Sequence, residues 1–406
     1  MGIITKFGSL PLYVALGMLM MGSATADQAT IQEQAQRIAE KYLLIDTHID
    51  VPYRLHSGWV DITQSAPDGQ FDYPRAVKGG LNLTFMSIYT PAEMEQEGGS
   101  FELANQLIDS VEAVAARAPG KFMLVYSVND AKKAMQSDRI GLAMGMENGS
   151  PIDHKIENIQ FFADRGIRYI TLTHGLSNQI SDSSYDDNKN WGGLSPFGKD
   201  VIREMNRVGI MVDISHVTDD AFYQSLEVSQ VPVIASHSSA RHFTPGFERN
   251  MSDEMIVALA KNGGVIQINW GSSFLTEKAN VYSTAFWELR KAWAKDNGFE
   301  PDSPEVKKWS KEYKENNPYP YATMAETVEH FDHVIKLAGV DHVGIGSDFD
   351  GVGDSLPIGL KDVSEYPNLV AEFLRRGYTE EDIARILGGN LLRVWSEVEA
   401  YSSKNK

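Results

Sequence analysis

The stretch LLIDTHID, residues 43–50, is an apolar run that ends in two ionisable side chains, His48 and Asp50. Because these residues are two positions apart, both side chains point to the same side of a strand. Three later apolar runs also end in potential metal ligands: GLAMGMENG carries Glu147, IMVDISH carries His216 and VPVIASHSS carries His237. In barrels of alternating strands and helices, functional side chains lie at the C-terminal ends of several strands. The repeated pattern therefore predicts one site that several parallel strands build together.

Eight apolar runs rich in β-branched residues follow one another along the chain, with helical patterns in most intervals. They are residues 43–49, 80–89, 140–147, 168–174, 210–216, 231–237, 264–270 and 342–348. This alternation predicts parallel βαβ units, whose buried strands are continuous apolar runs. Eight such strands favour an α/β fold of the (β/α)8 TIM-like barrel type. An open doubly wound sheet is the alternative, but its nucleotide signature fails because Phe349 stands where the third glycine after Gly344 and Gly346 is needed.

The interval between the seventh and eighth predicted strands is much longer than the others. Residues 271–325 are polar and aromatic, and the segments WELRKAWAKDNGF and EVKKWSKEYKEN within them have helical patterns. We therefore predict a helical insertion between strands 7 and 8. It would lie on the active-site rim of a barrel, where long loops often act as lids. A surface excursion that packs on the flank of the barrel is the alternative.

The bulk composition excludes several classes of partner. The chain has 406 residues, a formal net charge of -18 and no cysteine. Its length suits one large barrel. The acidic surplus argues against nucleic acid and anionic membranes as partners, because phosphate binding depends on basic patches. Without cysteine, neither disulfides nor a lipid-modified N-terminal cysteine can form.

The first 26 residues have the pattern of a signal peptide. Lys6 supplies a positive charge, residues 10–21 are apolar, and residues 24–26 (Ala-Thr-Ala) form a small-residue cleavage site. The apolar stretch is shorter than the ~20 residues of a comfortable membrane span. We expect a mature chain of residues 27–406, exported to the periplasm or the extracellular space, without a stable membrane anchor. An uncleaved anchor is the alternative.

The five strand-end ligands are three imidazoles and two carboxylates, a set suited to zinc or a similar divalent ion. Metal binding lowers the pKa of water from about 15.7 to near 7, so a nucleophile is available without serine or cysteine. The absence of a GxSxG elbow agrees with this interpretation. The residues by themselves therefore predict a two-metal hydrolase.

Over nearly the whole mature chain, the sequence resembles the zinc membrane-dipeptidase (renal dipeptidase) family of amidohydrolase-like barrels. The matching stretches, in the family's order, are IDTHID, GMENG, ITLTHGLSN, GLSPFGKDVIREMNRVGIMVDISHV, ASHSSAR, ERNMSDE, DHVGIGSDFDG and GGNLLRV. The resemblance implies a distorted eight-stranded barrel that holds two Zn²⁺ per chain. By it, His48 and Asp50 hold one ion, His216 and His237 hold the other, and Glu147 bridges both.

The sequence departs from the family pattern at three positions beside these ligands. Thr47 and Ile49 flank His48 where glycine and asparagine are common, and Asn148 follows Glu147 where glycine is common. These departures bear on the shape of the pocket and not on metal binding.

The resemblance also implies roles for three residues outside the ligand set. His174 binds the substrate carbonyl and stabilises the oxyanion, and Asp348 carries a proton to the leaving amine. Arg249 receives the free carboxylate of a dipeptide, for which a bidentate guanidinium is well suited. Arg241 is a weaker rival for that last role, because the spacing from His237 is not tightly fixed.

We therefore predict a binuclear zinc dipeptidase that cleaves free dipeptides, including those with a C-terminal D-residue. Dimerisation is an expectation from the resemblance only. One alternative is an amidohydrolase-type enzyme acting on another amide or lactone. Another is a non-catalytic, metal-stabilised binding protein, which the presence of both Asp348 and His174 disfavours. His330 and His333, one turn apart before strand eight, are expected to form a surface pair and not a third metal site.

Overall fold

Eight parallel strands form a barrel in the computed structural model of the protein. The structure describes residues 1–2 and 30–405. The barrel strands are β1 (Ile45–Ile49), β2 (Leu83–Tyr89), β4 (Ile140–Glu147), β5 (Ile167–Thr171), β6 (Met211–Asp213), β7 (Ile234–Ser238), β8 (Val265–Ile268) and β9 (Val343–Ile345). Neighbours pair in chain order. The predicted (β/α)8 TIM-like barrel is therefore confirmed. A short strand that the sequence pattern did not predict, β3 (Phe122–Leu124), pairs with the start of β4 beside this path.

The barrel closes through a few contacts at one rim. The Asp50 backbone N–H donates to the Phe349 carbonyl at 2.8 Å, and the Asp348 N–H donates to the His48 carbonyl at 3.1 Å. Ile49 and Phe349 also form an isolated parallel bridge. The seam between the first and last strands is thus held at the C-terminal rim, where His48, Asp50 and Asp348 lie.

Helices surround the barrel and connect most of its strands. Those described are α1 (30–41), α2 (Val51–Ser57), α3 (Tyr73–Lys78), α4 (Met94–Glu97), α5 (Ser100–Arg117), α6 (Val128–Met135), α7 (Glu157–Asp164), α8 (Pro196–Val208), α9 (Asp219–Val228), α10 (Asp253–Lys261), α11 (Ser272–Leu275), α12 (Glu277–Asn297), α13 (Pro304–Asn316), α14 (Met324–Ala338), α15 (Tyr366–Arg375), α16 (Glu380–Ala384) and α17 (Asn390–Lys404). Side-chain caps at Ser195, Thr218 and Ser252 begin α8, α9 and α10, satisfying N–H groups that lack a helical partner. Within residues 1–2 and 30–405, no helix is long and apolar enough to span a membrane.

Large side chains fill the barrel interior from its N-terminal end. Trp395 of α17 packs on Phe85 of β2, with 5.4 Å between ring centroids. Phe85 in turn packs on Tyr169 of β5 at 5.5 Å. All three are fully buried, so this stack forms a rigid floor directly beneath the C-terminal rim.

The predicted helical insertion lies between β8 and β9, the seventh and eighth barrel strands. Helices α12 and α13 pack on each other through aromatic rings, with Trp309 5.6 Å from Trp293 and 6.2 Å from Phe286. The apolar side chains of α12 are spread around the helix: Phe286 is buried, whereas Trp287 is 50% exposed. One side of α12 therefore packs on α13 while another remains available to the cavity described below.

Candidate metal centre

All of the predicted ligands lie at the C-terminal rim of the barrel. His48 and His237 lie near the ends of β1 and β7, Glu147 is the last residue of β4, and Asp50 follows β1 directly. His216 lies three residues beyond β6. Parallel strands bring these positions together although up to 189 residues of sequence separate them, since the same edge of the sheet collects every strand end.

Glu147 joins two sets of ligand atoms through its two carboxylate oxygens. Its Oε2 lies 3.3 Å from His48 Nε2, which is itself 3.3 Å from Asp50 Oδ2. Its Oε1 lies 3.2 Å from His216 Nε2 and 3.3 Å from His237 Nε2. The last two nitrogens are 2.9 Å apart. Each oxygen of one buried carboxylate thus faces a separate set of ligands.

Tyr169 orients the imidazole of His48. Its hydroxyl lies 2.8 Å from His48 Nδ1 and 3.0 Å from the Thr47 carbonyl. Because the carbonyl only accepts, the phenol donates its hydrogen there and accepts from His48 Nδ1–H. This assignment leaves Nε2 facing Asp50 and Glu147. An imidazole held by such an outer partner offers its other nitrogen to a metal ion.

A glycine makes room for this tyrosine. An added Cβ at Gly145 would lie 2.0 Å from Cζ of the Tyr169 ring, so no larger residue fits without displacing the ring. Gly145 of β4 therefore helps to position His48, because it leaves room for the Tyr169 ring that holds the imidazole.

Asp213 orients His237 through a serine. Ser236 Oγ donates to Asp213 Oδ2 at 2.6 Å, and the same oxygen lies 2.7 Å from His237 Nδ1. The hydroxyl hydrogen is engaged by the carboxylate, so Oγ accepts from Nδ1–H and Nε2 faces the centre. Burial lowers the pKa of His237 and of His216 well below the usual value. Both imidazoles are therefore neutral, the form that binds metal ions.

The ligand set formed by His48, Asp50 and Glu147 Oε2 favours positive charge. Burial acts to lower the pKa of His48, but Tyr169, Glu147 and Asp50 together raise it well above its usual value. Burial acts to raise the pKa of Glu147, but His48 and the other imidazoles hold it well below its usual range. Ser87 Oγ also donates to Glu147 Oε2 at 3.0 Å. The carboxylate is therefore ionised and held in one orientation.

Asp348 lies three residues beyond β9, beside His48 and Asp50. Asn269 Nδ2 donates to its Oδ2 at 2.7 Å. Burial and the nearby charge of Asp50 raise the pKa of Asp348 to about 8. The Gly351 backbone lies against both carboxylates, because a Cβ added there would lie 2.2 Å from Asp348 Oδ1 and from Asp50 Oδ2.

Four non-glycine residues at the rim adopt the left-handed backbone region that usually favours glycine. They are Asn148 (φ 81°), His216 (φ 70°), Asp348 (φ 63°) and Asp350 (φ 65°). Asparagine tolerates this region better than most residues, and Asn148 Nδ2 also donates to the Thr90 carbonyl at 3.0 Å. Asn148 can therefore occupy a backbone conformation that would otherwise favour glycine. Non-glycine residues in this region cluster at functional sites.

His174, three residues beyond β5, lies on the cavity side of the second ligand set. Its Nε2 is 3.6 Å from Glu147 Oε1, and its ring contacts those of His216 and Tyr89, at 4.4 and 4.8 Å between centroids. Burial lowers its pKa although Glu147 acts in the opposite direction. A neutral imidazole therefore projects from this wall next to the ligands.

Arg249 lies on the loop between β7 and α10 with its guanidinium facing the cavity. Its Nη1 donates to Ser238 Oγ at 2.7 Å and its Nη2 to the His237 carbonyl at 2.8 Å. Its buried Nε has no hydrogen-bond partner among the described residues. In contrast, Arg241 forms a two-point pair with Asp219, at 2.8 and 2.5 Å, and is absent from the cavity wall. Of the two arginines, only Arg249 lines the cavity, and its Nε is a donor without a partner among the described residues.

The prediction that His330 and His333 form a surface pair is wrong for His330. His330 is fully buried: its Nδ1 accepts from the Ala240 N–H at 3.1 Å and its Nε2 donates to the Leu275 carbonyl at 3.0 Å. His333 is partly exposed and lies 2.7 Å from Asp253. His330 therefore ties α14 to the loop after β7, a role that helical spacing alone does not reveal.

A cavity of about 1100 Å³ opens over the ligands. Asp50, Glu147, His174 and His216 line its floor together with Asp348. Arg249 lines it as well, and the helical insertion supplies much of the outer wall. The insertion is therefore a wall of this cavity and not an excursion on the flank of the barrel.

Sequence reasoning missed the residues that orient the ligands. Tyr169, Asp213, Ser236 and Asn269 all lie in or next to the apolar strand runs. Asp213 carried a signal, since an acid inside IMVDISH is unexpected for a buried strand. Tyr169 and Asn269 gave no such signal in the sequence.

Comparisons with known proteins identify the family of the chain and its fold. A model of the membrane dipeptidase family, peptidase family M19, matches residues 32–406. The chain is similar to the probable dipeptidase PvdM from Pseudomonas aeruginosa, with 27% identity, a TM-score of 0.80, and coverage of 92% of this chain and 99% of that chain. It also shares its fold with a metallo peptidase from Rhodobacter sphaeroides liganded with a phosphinate mimic of the dipeptide L-Ala-D-Ala, at 21% identity and a TM-score of 0.72, covering 88% and 99%. The chain belongs to the membrane dipeptidase family of metallopeptidases, which hydrolyse dipeptides.

Proposed function

We propose that the chain is a binuclear zinc dipeptidase in which His48 and Asp50 hold one ion, His216 and His237 hold the other, and Glu147 is shared. The carrying observation is that the two oxygens of Glu147 face separate ligand sets, each 3.2–3.3 Å away. Two divalent ions about 3.5–4 Å apart repel strongly, and a shared carboxylate reduces that cost.

The residues present fit such ions. Ligands bound about 2.0–2.2 Å from zinc in a tetrahedron lie roughly 3.3–3.6 Å from each other, and the carboxylate oxygens of Asp50 and Glu147 lie 3.2–3.3 Å from the histidine nitrogens. His48 Nε2 is buried without a hydrogen-bond partner among the described residues. Two carboxylate oxygens, Asp50 Oδ2 and Glu147 Oε2, lie 3.3 Å from that nitrogen, so its surroundings favour positive charge. These observations support two cation sites, and the nitrogen and oxygen donors suit Zn²⁺.

When bound, the ions would polarise the scissile carbonyl and lower the pKa of a water molecule from about 15.7 to near 7. The chain's own residues complete the chemistry. His174 meets the developing oxyanion from the wall beside Glu147. Asp348, with Oδ2 held by Asn269, uses Oδ1 to take a proton and return it to the leaving amine.

Arg249 limits the substrate to peptides with a nearby free carboxylate. Two of its nitrogens already bind Ser238 and the His237 carbonyl, which fixes the guanidinium next to a metal ligand. Its unpartnered Nε supports binding of an anion. A carboxylate held there would place the preceding peptide bond over the ligands, as free dipeptides require. The L-Ala-D-Ala mimic in the Rhodobacter sphaeroides structure supports including a C-terminal D-residue among the substrates.

Export is part of the proposal. The signal pattern of residues 1–26 supports a periplasmic or extracellular enzyme of residues 27–406, although most of that segment lies outside the described residues. Dimerisation rests on the family resemblance.

The deciding experiment is hydrolysis of L-Ala-D-Ala by the purified mature chain before chelation, after chelation and after zinc is restored. Metal content is measured in parallel by plasma mass spectrometry. We expect two zinc ions per chain and activity that disappears and returns with them. Two bound ions without dipeptide cleavage would overturn the dipeptidase assignment and favour blocked peptides, other amides or lactones. One ion per chain with full activity would overturn the shared role of Glu147.

A further inference from the structure

The outer half of the cavity is lined by aromatic side chains of the insertion. Tyr282 and Trp287 belong to α12, and Tyr319 and Tyr321 follow α13. Cavities of roughly 300–1000 Å³ accommodate drug-sized ligands, and this one has about 1100 Å³. A dipeptide of two small residues would leave most of the outer half empty, so the size and lining of the cavity suit a bulkier group.

These rings are fixed in place. Tyr319 makes edge contacts with Tyr282 and Tyr321, at 5.2 and 5.0 Å between centroids. The Tyr282 hydroxyl donates to the Asn317 carbonyl at 2.6 Å, and the Tyr321 hydroxyl donates to Asp354 Oδ2 at 2.8 Å. Rigid rings bind a ligand at little entropic cost. They therefore form a preformed apolar surface.

Trp287 stands out within this wall, because its side chain is 50% exposed although it lines the cavity. Arg290 lies 5.0 Å from the centroid of its ring and holds one side of it. Tryptophan usually buries its large apolar surface. A ring held in this way presents a free face for stacking.

The position of the wall identifies which part of a substrate it would meet. Phe274 lies 5.3 Å from the guanidinium of Arg249, where the terminal carboxylate is proposed to bind. Tyr319 lies against Ser273, next to Phe274, and against Ser355. Ser355 belongs to the loop that follows Asp348, where the leaving amine is proposed to receive its proton. The C-terminal residue carries both the carboxylate and that amine, so a residue held by both groups would lie beside the insertion and its aromatic rings.

We propose that the insertion forms an aromatic subsite for the side chain of the C-terminal residue, so that the preferred substrates are dipeptides ending in a bulky aromatic residue. This inference rests on the proposed dipeptidase function. The subsite binds by ring stacking and apolar burial, and Trp287 is the specificity-determining residue at its outer edge.

The test compares kcat/KM for L-Ala-D-Trp, L-Trp-D-Ala and L-Ala-D-Ala. We expect L-Ala-D-Trp to be favoured by about tenfold or more over both others, the usual range for filling an apolar pocket. Trp287→Ala should remove most of that preference. Trp59→Ala is the matched control, because Trp59 is 53% exposed and does not line the cavity, and it should keep the preference unchanged.

Three outcomes would overturn the subsite: no preference for L-Ala-D-Trp, a preference for L-Trp-D-Ala instead, or an equal loss on all substrates in Trp287→Ala, which indicates a lid. If the zinc-loaded enzyme cleaves no dipeptide, the proposed function fails separately. Calorimetric binding of L-Ala-D-Trp then decides the subsite. Binding about tenfold weaker in Trp287→Ala than in Trp59→Ala supports it, and equal binding overturns it.

Discussion

Replacement of Arg249 by methionine tests how the enzyme recognises the end of its substrate. Methionine keeps an apolar stem but removes the charge and every donor. Arg249 is 3% exposed, and its Nε lacks a partner among the described residues, so a substrate carboxylate would meet the guanidinium away from water. Loss of one member of a buried charge pair costs about 2–5 kcal/mol. We expect kcat/KM for L-Ala-D-Ala to fall by about 10²–10³, which corresponds to roughly 3–4 kcal/mol.

The assay pairs L-Ala-D-Ala with its C-terminal amide. The wild-type enzyme should strongly prefer the free acid, and Arg249→Met should lose that preference while its metal content stays unchanged. Arg241→Met is the matched control from the same loop. Because Arg241 is occupied by Asp219 and backbone carbonyls, this variant should lower the melting temperature but keep the preference. Equal losses on acid and amide in Arg249→Met would show that Arg249 only supports His237 and would refute the recognition role.

Three further predictions concern the metal centre and the acid stability of the fold. Asp348→Asn should retain both metals by mass spectrometry while kcat falls by about 10²–10⁴; full activity would contradict the proton-transfer role. Gly351→Ala should weaken metal binding, measured by competition with a chelator, because the new Cβ would lie 2.2 Å from oxygens of Asp348 and Asp50. Gly353→Ala, in the same loop with open space around it, should bind metal normally although its φ of 57° makes alanine there destabilising, and equal affinities in the two variants would refute the steric argument. Burial lowers the pKa of His330 to about 4, so the folded chain keeps it neutral while the unfolded chain takes up a proton below about pH 6.5. The stabilising contribution of neutral His330 is therefore fully present above pH 6.5. As the pH falls from 6.5 to 4, the free energy of unfolding decreases by about 3 kcal/mol. His330→Asn should lose correspondingly less stability than the wild type between pH 7 and 4.5 in urea unfolding, and parallel losses would disprove this assignment.

The local sequence was sufficient to predict the barrel and to predict that the proposed metal ligands lie close together. Strands buried on both faces must be continuous apolar runs, so a histidine or carboxylate at the end of such a run is conspicuous. Once eight such runs alternate with helices, parallel topology places every run's end at the same rim. The positions of His48, Glu147 and His237 therefore follow from periodicity and length alone. The insertion was predicted for the same reason, because one interval was too long for a single connecting helix.

The residues that orient the ligands depend on contacts between distant parts of the chain. Tyr169 is 121 residues from His48 in sequence, and inside an apolar run a tyrosine looks like an ordinary core residue. Asn269 is 79 residues from Asp348 and lies at the end of an unremarkable strand. Hydrogen bonds of this kind have no local periodicity, so no pattern in the sequence predicts them.

Two arginines and one histidine show most clearly what the sequence determined and what only the tertiary structure decided. The sequence determined that the loop after β7 carries Arg241 and Arg249, and that a helix before β9 carries His330. Only the folded chain decides that Asp219 of α9 neutralises Arg241, that Arg249 keeps donors facing the cavity, and that Leu275 and Ala240 enclose His330. The physical reason is that charge pairing and burial depend on which elements become neighbours. Residue type and spacing specify the elements, and only their packing specifies the neighbours.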